Sequence, residues 1–432
     1  MTMTGSEARI LFVDQSGELG GAELALLPIA VRYRERCAVV LLQDGPFRER
    51  LEAAGVTVHL LVNAGVSKVR KTGAALAALR AIGPVLSQVR ALAKLARDYD
   101  AIFVNTQKAF VLGTMTRLFI RRPVIWFLHD IMSREHFGGL QRRIVRTLAP
   151  FADATIVNSK AAADALAELT GRRDRVVDIA YNGIDPAPFD LTVNTQHRAI
   201  RAALGVPTDA WCVGLFSRLA HWKGQHVLID AVAQLLVDEH DAFERRPVGG
   251  VRDRGHAPSA RSGRVSEIHV VLVGAPLFGE DEYAARLHEQ IARLGLEPRI
   301  HFAGFQNDVA AWMAAMDVVV HTSIAPEPFG RVVVEGMLAG KPIIAARAGG
   351  VMEIVDDGQT GLLTGPGDAR ALASALGVLR RDPDYATSLA NAGRDMARRR
   401  FSEAAYIERV EAALARAIEH APARERAVPG RV

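Results

Sequence analysis

Two glutamates, Glu327 and Glu335, frame the segment Glu327-Pro328-Phe329-Gly330-Arg331-Val332-Val333-Val334-Glu335. It follows an apolar run, Val318–His321, and opens a helical stretch, Val332–Ala339. Gly330 permits close backbone approach, and the first amides of the helix point outward. With the helix dipole they make a site for an anion. A carboxylate at Glu335 can accept two hydrogen bonds from a cis-diol, as carboxylates do with ribose in nucleotide folds. A lone Glu in a first helical turn ordinarily only compensates the dipole. Its pairing with Glu327 across a glycine-containing turn is the rarer arrangement.

A second group is Ser217-Arg218-Leu219 followed by Lys223-Gly224, after the apolar run Trp211–Ser217. Ligands of open α/β sheets bind at the carboxyl ends of strands, so Arg218 and Lys223 stand where a diphosphate would sit. Arg offers a planar fork and Lys a point charge. Either alone reads equally well as a surface cation. A third group, Gly17-Glu18-Leu19-Gly20-Gly21-Ala22-Glu23, lacks the G-x-G-x-x-G spacing of a dinucleotide loop and reads as a close-approach loop facing an interdomain cleft. His129 ends the run Val124–His129 and points to the same cleft. Asn105 and Asn158 end strands similarly and are weaker candidates; Asn158-Ser159 also reads as a helix cap.

Such groups need strands to carry them. In the first half, short apolar runs at Ile10–Asp14, Val39–Gln43, Ala101–Asn105, Val124–His129, Thr155–Asn158 and Val176–Ala180 alternate with helix-like sequence, the pattern of a parallel sheet. Asn182-Gly183 marks a tight turn. The proline-containing stretch Asp185–Thr195 reads as a domain boundary. The pattern restarts at Trp211–Ser217 and continues through Ile268–Gly274, Ile300–Phe302, Val318–His321 and Pro342–Ala345. Helices are expected near Gln225–Val237, Glu280–Leu294, Asp308–Ala315, Val332–Ala339 and Ala369–Leu379, with a last one over Ser402–Ile418. The fold class is therefore α/β, with two Rossmann-like domains, 1–187 and 196–400, and a C-terminal segment 401–432. The stretch 240–267 is rich in Arg, Gly, Pro and Ser and reads as a mobile insertion.

At 432 residues the chain is long for one core, which also favours two domains. Hydrophobic residues make up 49%, enough to bury both. The two cysteines, Cys37 and Cys212, sit in apolar runs and read as buried thiols of a reducing, cytoplasmic protein. The N-terminus lacks the features of a signal peptide, and no apolar run approaches the ~18 residues of a membrane span. A net charge of +5 suits an anionic ligand or an acidic membrane surface. A helix starting at Pro84 would place Val85, Leu86, Val89, Leu92, Ala93 and Ala96 on one face, with Arg90, Lys94 and Arg97 beside it and Lys68, Arg70 and Lys71 upstream. That is either a peripheral docking face for anionic lipid or an ordinary core-facing helix. No nucleic-acid partner is indicated.

In order and spacing these motifs resemble the family-4 retaining glycosyltransferases with the GT-B fold (glycosyltransferase group 1). The resemblance rests on Gly20-Gly21-Ala22-Glu23, His129, Tyr181-Asn182-Gly183-Ile184-Asp185, Ser217-Arg218…Lys223-Gly224 and Val271-Leu272-Val273-Gly274. It continues through Glu327…Glu335, Gly349-Gly350…Glu353-Ile354-Val355 and Gly358…Gly361-Leu362-Leu363. It covers essentially the whole chain except 240–267, and is weaker in the N-terminal half.

The resemblance implies a first domain for the acceptor, a second for the nucleotide-sugar donor, and a last helix that crosses back to the first. It implies Glu335 as the ribose ligand, Arg218 and Lys223 as diphosphate ligands, and Glu327 with the backbone of Phe329, Gly330 and Arg331 as contacts to the sugar and its phosphate. His129 would lie near the sugar, Gly304 and Phe305 beside the base, and the Gly20-Gly21 loop over the phosphates. It implies a co-substrate (a UDP- or GDP-sugar) with no bound cofactor, and retention by front-face attack. The acceptor would be a glycan or lipid-linked hydroxyl in polysaccharide or glycolipid assembly. No Asp-x-Asp metal loop is present, so metal dependence is not expected. The alternatives are a nicotinamide dehydrogenase, which the missing fingerprint disfavours, an inactive nucleotide-sugar-binding protein, and an epimerase or a sucrose- or trehalose-type synthase.

Overall fold

The computed structural model describes residues 8–62, 74–172, 177–191, 194–244, 267–277 and 279–419. The chain divides into two compact units, Met1–Gly183 with Phe401–Val432, and Ile184–Arg400.

The first unit runs β1 (Ile10–Asp14), α1 (Gly21–Arg32), β2 (Cys37–Leu41), α2 (Pro46–Ala53), β3 (Thr57–Leu60), α3 (Ala74–Ala96), β4 (Ala101–Val104), α4 (Gln107–Met115), β5 (Val124–Leu128), α5 (Gly139–Leu148), β6 (Ala154–Val157), α6 (Lys160–Thr170) and β7 (Asp178–Ile179). Its parallel seven-stranded sheet has the order β3-β2-β1-β4-β5-β6-β7. The chain moves outward from β1 to β3, then returns to lay β4 on the other side of β1. Side chains alternate across the sheet, and both faces are covered, so the strands are apolar throughout. Ile10 and Phe12 join one core, with Phe103, Phe127 and α1. Leu11 and Val13 join the other, with Trp126, Phe110 and α3.

The second unit runs α7 (Ala187–Asp190), α8 (Asn194–Ala203), β8 (Trp211–Phe216), α9 (Gln225–Glu244), β9 (Ile268–Val273), α10 (Asp281–Arg293), β10 (Ile300–Gly304), α11 (Val309–Ala314), β11 (Val318–His321), α12 (Arg331–Leu338), β12 (Ile343–Ala346), β13 (Leu362–Thr364), α13 (Ala369–Arg381) and α14 (Pro383–Arg400). Its parallel six-stranded sheet has the order β10-β9-β8-β11-β12-β13, so strand order reverses between β8 and β11. After α14 the chain rejoins the first unit as α15 (Glu403–Glu419). Tyr406, Val410 and Leu414 of α15 enter the core beneath α1, and Tyr406 Oη donates to Ala25 O at 2.8 Å. The Asn182-Gly183 turn meets this helix closely: a Cβ on Gly183 would lie 2.6 Å from Glu403 Cα.

The alternation of two α/β units agrees with the sequence, but several particulars differ. Pro84 lies inside α3 rather than at its start. Val89, Leu92, Ala93 and Ala96 of that helix are buried in the unit's own core, so they offer no apolar face to a lipid surface. Arg90, Lys94 and Arg97 are exposed beside it, and Lys68, Arg70 and Lys71 lie outside the described residues. The stretch 240–267 does not begin as a loop. Helix α9 continues through Glu244, with no helix breaker before Pro247 and Arg380 Nη1 donating to Glu239 Oε2 at 2.7 Å. Residues 245–266 lie outside the described residues. The interval 185–191, expected as a boundary, belongs to the second unit. Phe189 of α7 is buried, and Arg394 and Arg398 of α14 both donate to Asp190. Among the described residues no helix is long and apolar enough to cross a membrane.

Candidate functional site

A sheet whose strand order reverses leaves a crevice at the carboxyl ends of the two strands flanking the reversal. In the second unit those strands are β8 and β11. Ser217, Arg218 and the turn His221–Lys223 follow β8; Thr322, Ser323 and Glu327 follow β11. Gly224 joins the two loops. Its φ is 72°, and a Cβ there would lie 2.0 Å from Thr322 O. Thr322 Oγ1 donates to Lys223 O at 2.9 Å, and Ile324 N donates to Trp222 O at 2.8 Å. This stitching delivers the Lys223 ammonium onto the Glu327 carboxylate.

Glu327 is almost buried, and three groups converge on its Oε1. Lys223 Nζ donates to it, and Ser323 Oγ donates at 2.6 Å. His321 Nε2 lies 3.0 Å away, off the line of a directed hydrogen bond. Burial alone pushes the carboxyl upward. The Lys223 charge and His321 outweigh it and hold Glu327 well below the usual carboxylate range. Its backbone is fixed as well, since it pairs with Gly349 and its carbonyl accepts from Gly350 N at 2.8 Å. Gly349 has a φ of 62°, and a Cβ on it would fall 2.2 Å from Glu327 O. The glycine pair after β12 is thus required by how closely the Glu327 loop passes.

Lys223 Nζ lies 4.1 Å from the Trp222 ring centroid and the Arg218 guanidinium carbon 5.7 Å from it, so one indole carries both cations. Arg218 Nη1 is 3.7 Å from Glu280 Oε2. Gln225 Nε2 donates to Ser217 Oγ and to Arg218 O, both at 2.9 Å, and fixes the loop that bears Arg218.

Lys223 and Glu327 therefore touch, and Arg218 shares their tryptophan. Glu335 is engaged elsewhere: within α12 it accepts from Arg331 Nη2 at 3.2 Å. Gly330 caps that helix with a φ of 104°, and the Phe329 side chain is in the core, so only its backbone can serve a ligand. Gly304 ends β10 with a φ of 66°, and Phe305 beside it is 65% exposed. His321 and Ser323 were missed by the sequence reading, which took His321 only as a strand end. Their signal was position, since a His and a Ser flank the carboxyl end of the strand at the reversal.

In the first unit the reversal falls between β1 and β4, and it too gathers polar groups. Asp14 ends β1 and Asn105 follows β4; both are buried. Asn105 Nδ2 donates to Asp14 Oδ2 at 2.7 Å and to Ala22 O at 3.0 Å, and His129 Nε2 lies 2.8 Å from Asn105 Oδ1. Glu23 Oε2 accepts from Gly20 N at 3.0 Å, turning back onto the N-cap at the start of α1, so the Gly20 amide is already engaged and Gly21 is the first helical residue. Burial pushes Asp14 up to about 6. Burial, then the neighbouring Asp14 charge, pushes Glu23 up to about 7. Asp130, beside His129, is also raised by burial, against a hydrogen bond from Gln107 Nε2 at 3.0 Å. Asn158 is buried on β6's far end, and it is Ser159 that caps α6, accepting from Ala162 N at 3.0 Å. Asp14 was read only as a strand end, and Asn105 only as a weak candidate. Their partners come from loops far apart in sequence.

Comparison with known proteins agrees with both halves. Residues 196–396 match the family described as glycosyl transferases group 1, and residues 20–188 match glycosyltransferase family 4. The crystal structure of Anabaena Alr3699/HepE in complex with UDP and glucose is 38% identical, covers 94% of this chain and 98% of its own, and superposes with a TM-score of 0.79. A glycosyltransferase from Rickettsia africae, at 17% identity and a TM-score of 0.76, shares the fold over 96% of this chain and 99% of its own. The lipopolysaccharide core biosynthesis glycosyltransferase LpsE of Rhizobium meliloti is 29% identical over 55% of this chain and 60% of its own length. A D-inositol 3-phosphate glycosyltransferase of Corynebacterium urealyticum is 29% identical over 59% and 55%. The match thus spans little more than half the length of these curated relatives. With both units matched to family models, and a 38%-identical structure covered almost end to end, the chain belongs to the family-4, group 1 glycosyltransferases of GT-B fold.

Proposed function

We propose that this glycosyltransferase moves a hexose from a uridine diphosphate sugar to a hydroxyl of a glycan or lipid-linked acceptor, with retention and without a metal ion. The observation that carries the reading is the buried Lys223–Glu327 pair beside Arg218 at the strand reversal of the second unit. The choice of uridine rests on the 38%-identical Anabaena protein, solved with UDP-glucose. A role in polysaccharide or glycolipid assembly rests on family likeness, and so does a cytoplasmic site of action.

In the proposed reaction the bond from the anomeric carbon to the diphosphate oxygen breaks, and its electron pair leaves with the diphosphate. The acceptor oxygen bonds to the anomeric carbon from the same face, and its proton passes to the departing phosphate oxygen. Negative charge grows on the leaving group, where Arg218, Lys223 and the amides of Phe329–Arg331 would meet it. Preorganised charge of this kind is the largest single source of rate in many enzymes. Glu327 is held ionised at neutral pH, so it is unsuited to donate a proton. Its Oε1 is occupied, and Oε2 is the oxygen that would accept sugar hydroxyls. Glu335 would take the ribose, Gly304 and Phe305 the base, Gly20 and Gly21 the phosphates, and His129 the sugar.

A thermal-shift panel of nucleotide sugars tests the donor, since a bound ligand stabilises by mass action. The UDP-hexoses should raise the transition and the GDP-sugars should not; the reverse order would overturn the uridine assignment. An NMR spectrum of early product should show the donor's anomeric configuration, and the opposite anomer would refute retention.

A further inference from the structure

The polar chain in the first unit has a direction that its partners impose. The two ends of the Asn105 amide differ only in which atom donates, and neighbours decide which way it turns. Ala22 O is a backbone carbonyl and can only accept. Asp14 Oδ2 accepts whenever the carboxyl is ionised. Both lie on one side of the amide, so that side must be the NH2 group. The other end, Oδ1, then faces His129 Nε2 at 2.8 Å as an acceptor. A carbonyl oxygen at that distance needs a proton from the ring.

We propose that Asp14 and Asn105 are positioning residues that hold His129 with its proton on Nε2, leaving Nδ1 as the basic atom of the neutral ring. The chain is rigid at its source. Asp14 is fully buried, and its second oxygen accepts from Ser16 N at 3.0 Å. Asn105 is 1% exposed, its N–H donates to Val13 O at 3.0 Å, and the ring of Phe127 lies 4.0 Å from that of His129. Tautomer control of this kind matters because a histidine's second nitrogen sets what its first can do. A ring protonated at Nε2 cannot accept there, so its orientation and its accepting edge are fixed before any ligand arrives. The catalytic side of this inference rests on the proposed role of His129 toward the transferred sugar; the tautomer itself does not.

The test separates the two. Long-range proton–nitrogen NMR of protein labelled with 15N-histidine reads which ring nitrogen carries the proton, with the His129→Gln spectrum assigning the signal. In the wild type above pH 7.5, His129 should be protonated on Nε2. A proton on Nδ1 overturns the proposal and needs no variant to establish it. Asn105→Ala should give a mixture of tautomers. An unchanged single tautomer in Asn105→Ala overturns it. With UDP-glucose, Asn105→Ala should lose about tenfold to a hundredfold in kcat, the scale of a misplaced group, with KM for the donor within about twofold. An unchanged kcat overturns the positioning role. An enzyme with the expected tautomer and no transfer to any acceptor would instead count against the proposed function.

Discussion

The two sheets of this molecule reverse strand order once each, at β1/β4 and at β8/β11, and each reversal buries a carboxylate that a histidine joins, directly at Glu327 and through Asn105 at Asp14. The outcomes are opposite. Asp14 and Glu23 are surrounded by amides, a backbone carbonyl and one another, and burial pushes both toward the protonated form. Glu327 is buried too, but Lys223 and His321 reach it and keep it ionised. The same crevice can therefore be built around carboxylates whose charge burial disfavours, or around an ion pair, and Lys223 together with His321 makes the second. The ionic version suits a site where a charged leaving group must be met. The first version suits one where geometry and tautomer matter more than field.

Removing that cation is the strongest way to break the contrast. In Lys223→Ala, Glu327 is left buried without a counter-charge, and breaking one side of a buried pair costs about 3–5 kcal/mol. Turnover should fall about a hundredfold to a thousandfold, as when a preorganised donor is lost. Lys223→Met with Glu327→Gln removes both charges, and should regain most of the stability while activity stays low. Calorimetric or denaturant unfolding and donor kinetics read the two effects. Full stability in Lys223→Ala would show that the pair does not hold the loops together.

The next prediction sharpens the division of labour within the second unit. Glu335 is paired with Arg331 on α12, whereas Glu327 sits with Lys223, so the two carboxylates occupy separate environments. A hydrogen bond to a charged group is worth roughly 1.5–3 kcal/mol. Glu335→Ala should therefore weaken UDP by about one to two decades, since ~1.4 kcal/mol is tenfold. Glu327→Ala should leave UDP affinity nearly unchanged while turnover with the full donor falls, because its contact counts most as the anomeric bond breaks. Isothermal titration with UDP alone decides it, and equal losses in both variants would mean that the two roles have been divided wrongly.

What could be read in the sequence follows from how local each signal is. The central strands announced themselves because they are buried on both faces, as in Ile10–Asp14 and Val318–His321. The edge strands β3 and β13 did not, since their residues are only partly buried and carry no continuous apolar run. Helix α14 was hidden by its arginines, with a buried stripe of only Leu389, Ala390, Gly393, Met396 and Ala397. At the candidate site, Arg218, Lys223, Glu327 and Glu335 stood out by type and spacing. The contact between Lys223 and Glu327 did not, because it depends on two loops brought together at Gly224. The Asp14–Asn105–His129 chain was invisible for the same reason: three strand ends meet only once the sheet order is known.

The smallest expected effect turns the contrast into a pH dependence. Asp14 and Glu23 have folded-state values of about 6 and about 7, above the ordinary 3.8 and 4.5. Between roughly pH 4 and pH 7 the folded chain therefore holds protons that the unfolded chain has released. Stability from these groups must fall as pH rises through that window and level off above it. Glu327 has the opposite sign and a different window: its folded value is depressed, so its contribution is present at pH 5 and above and is lost only as pH falls below the ordinary 4.5. Glu327 is therefore silent from pH 5 to pH 8, where the histidines His197, His226, His269 and His301 of the second unit, lowered by burial, add a rise in stability common to wild type and variant, so the difference between the two reads the first unit. Glu23→Gln keeps a side-chain oxygen that can accept from Gly20 N, and removes one titrating group. The decline in stability across pH 5–7 should shrink by on the order of 1–3 kcal/mol, since each tenfold difference in proton affinity between the folded and unfolded chain corresponds to about 1.4 kcal/mol. Unfolding midpoints of wild type and Glu23→Gln, compared at each pH, read this directly. Parallel pH profiles would mean that Glu23 titrates normally, and the first unit's half of the comparison would then rest on Asp14 alone.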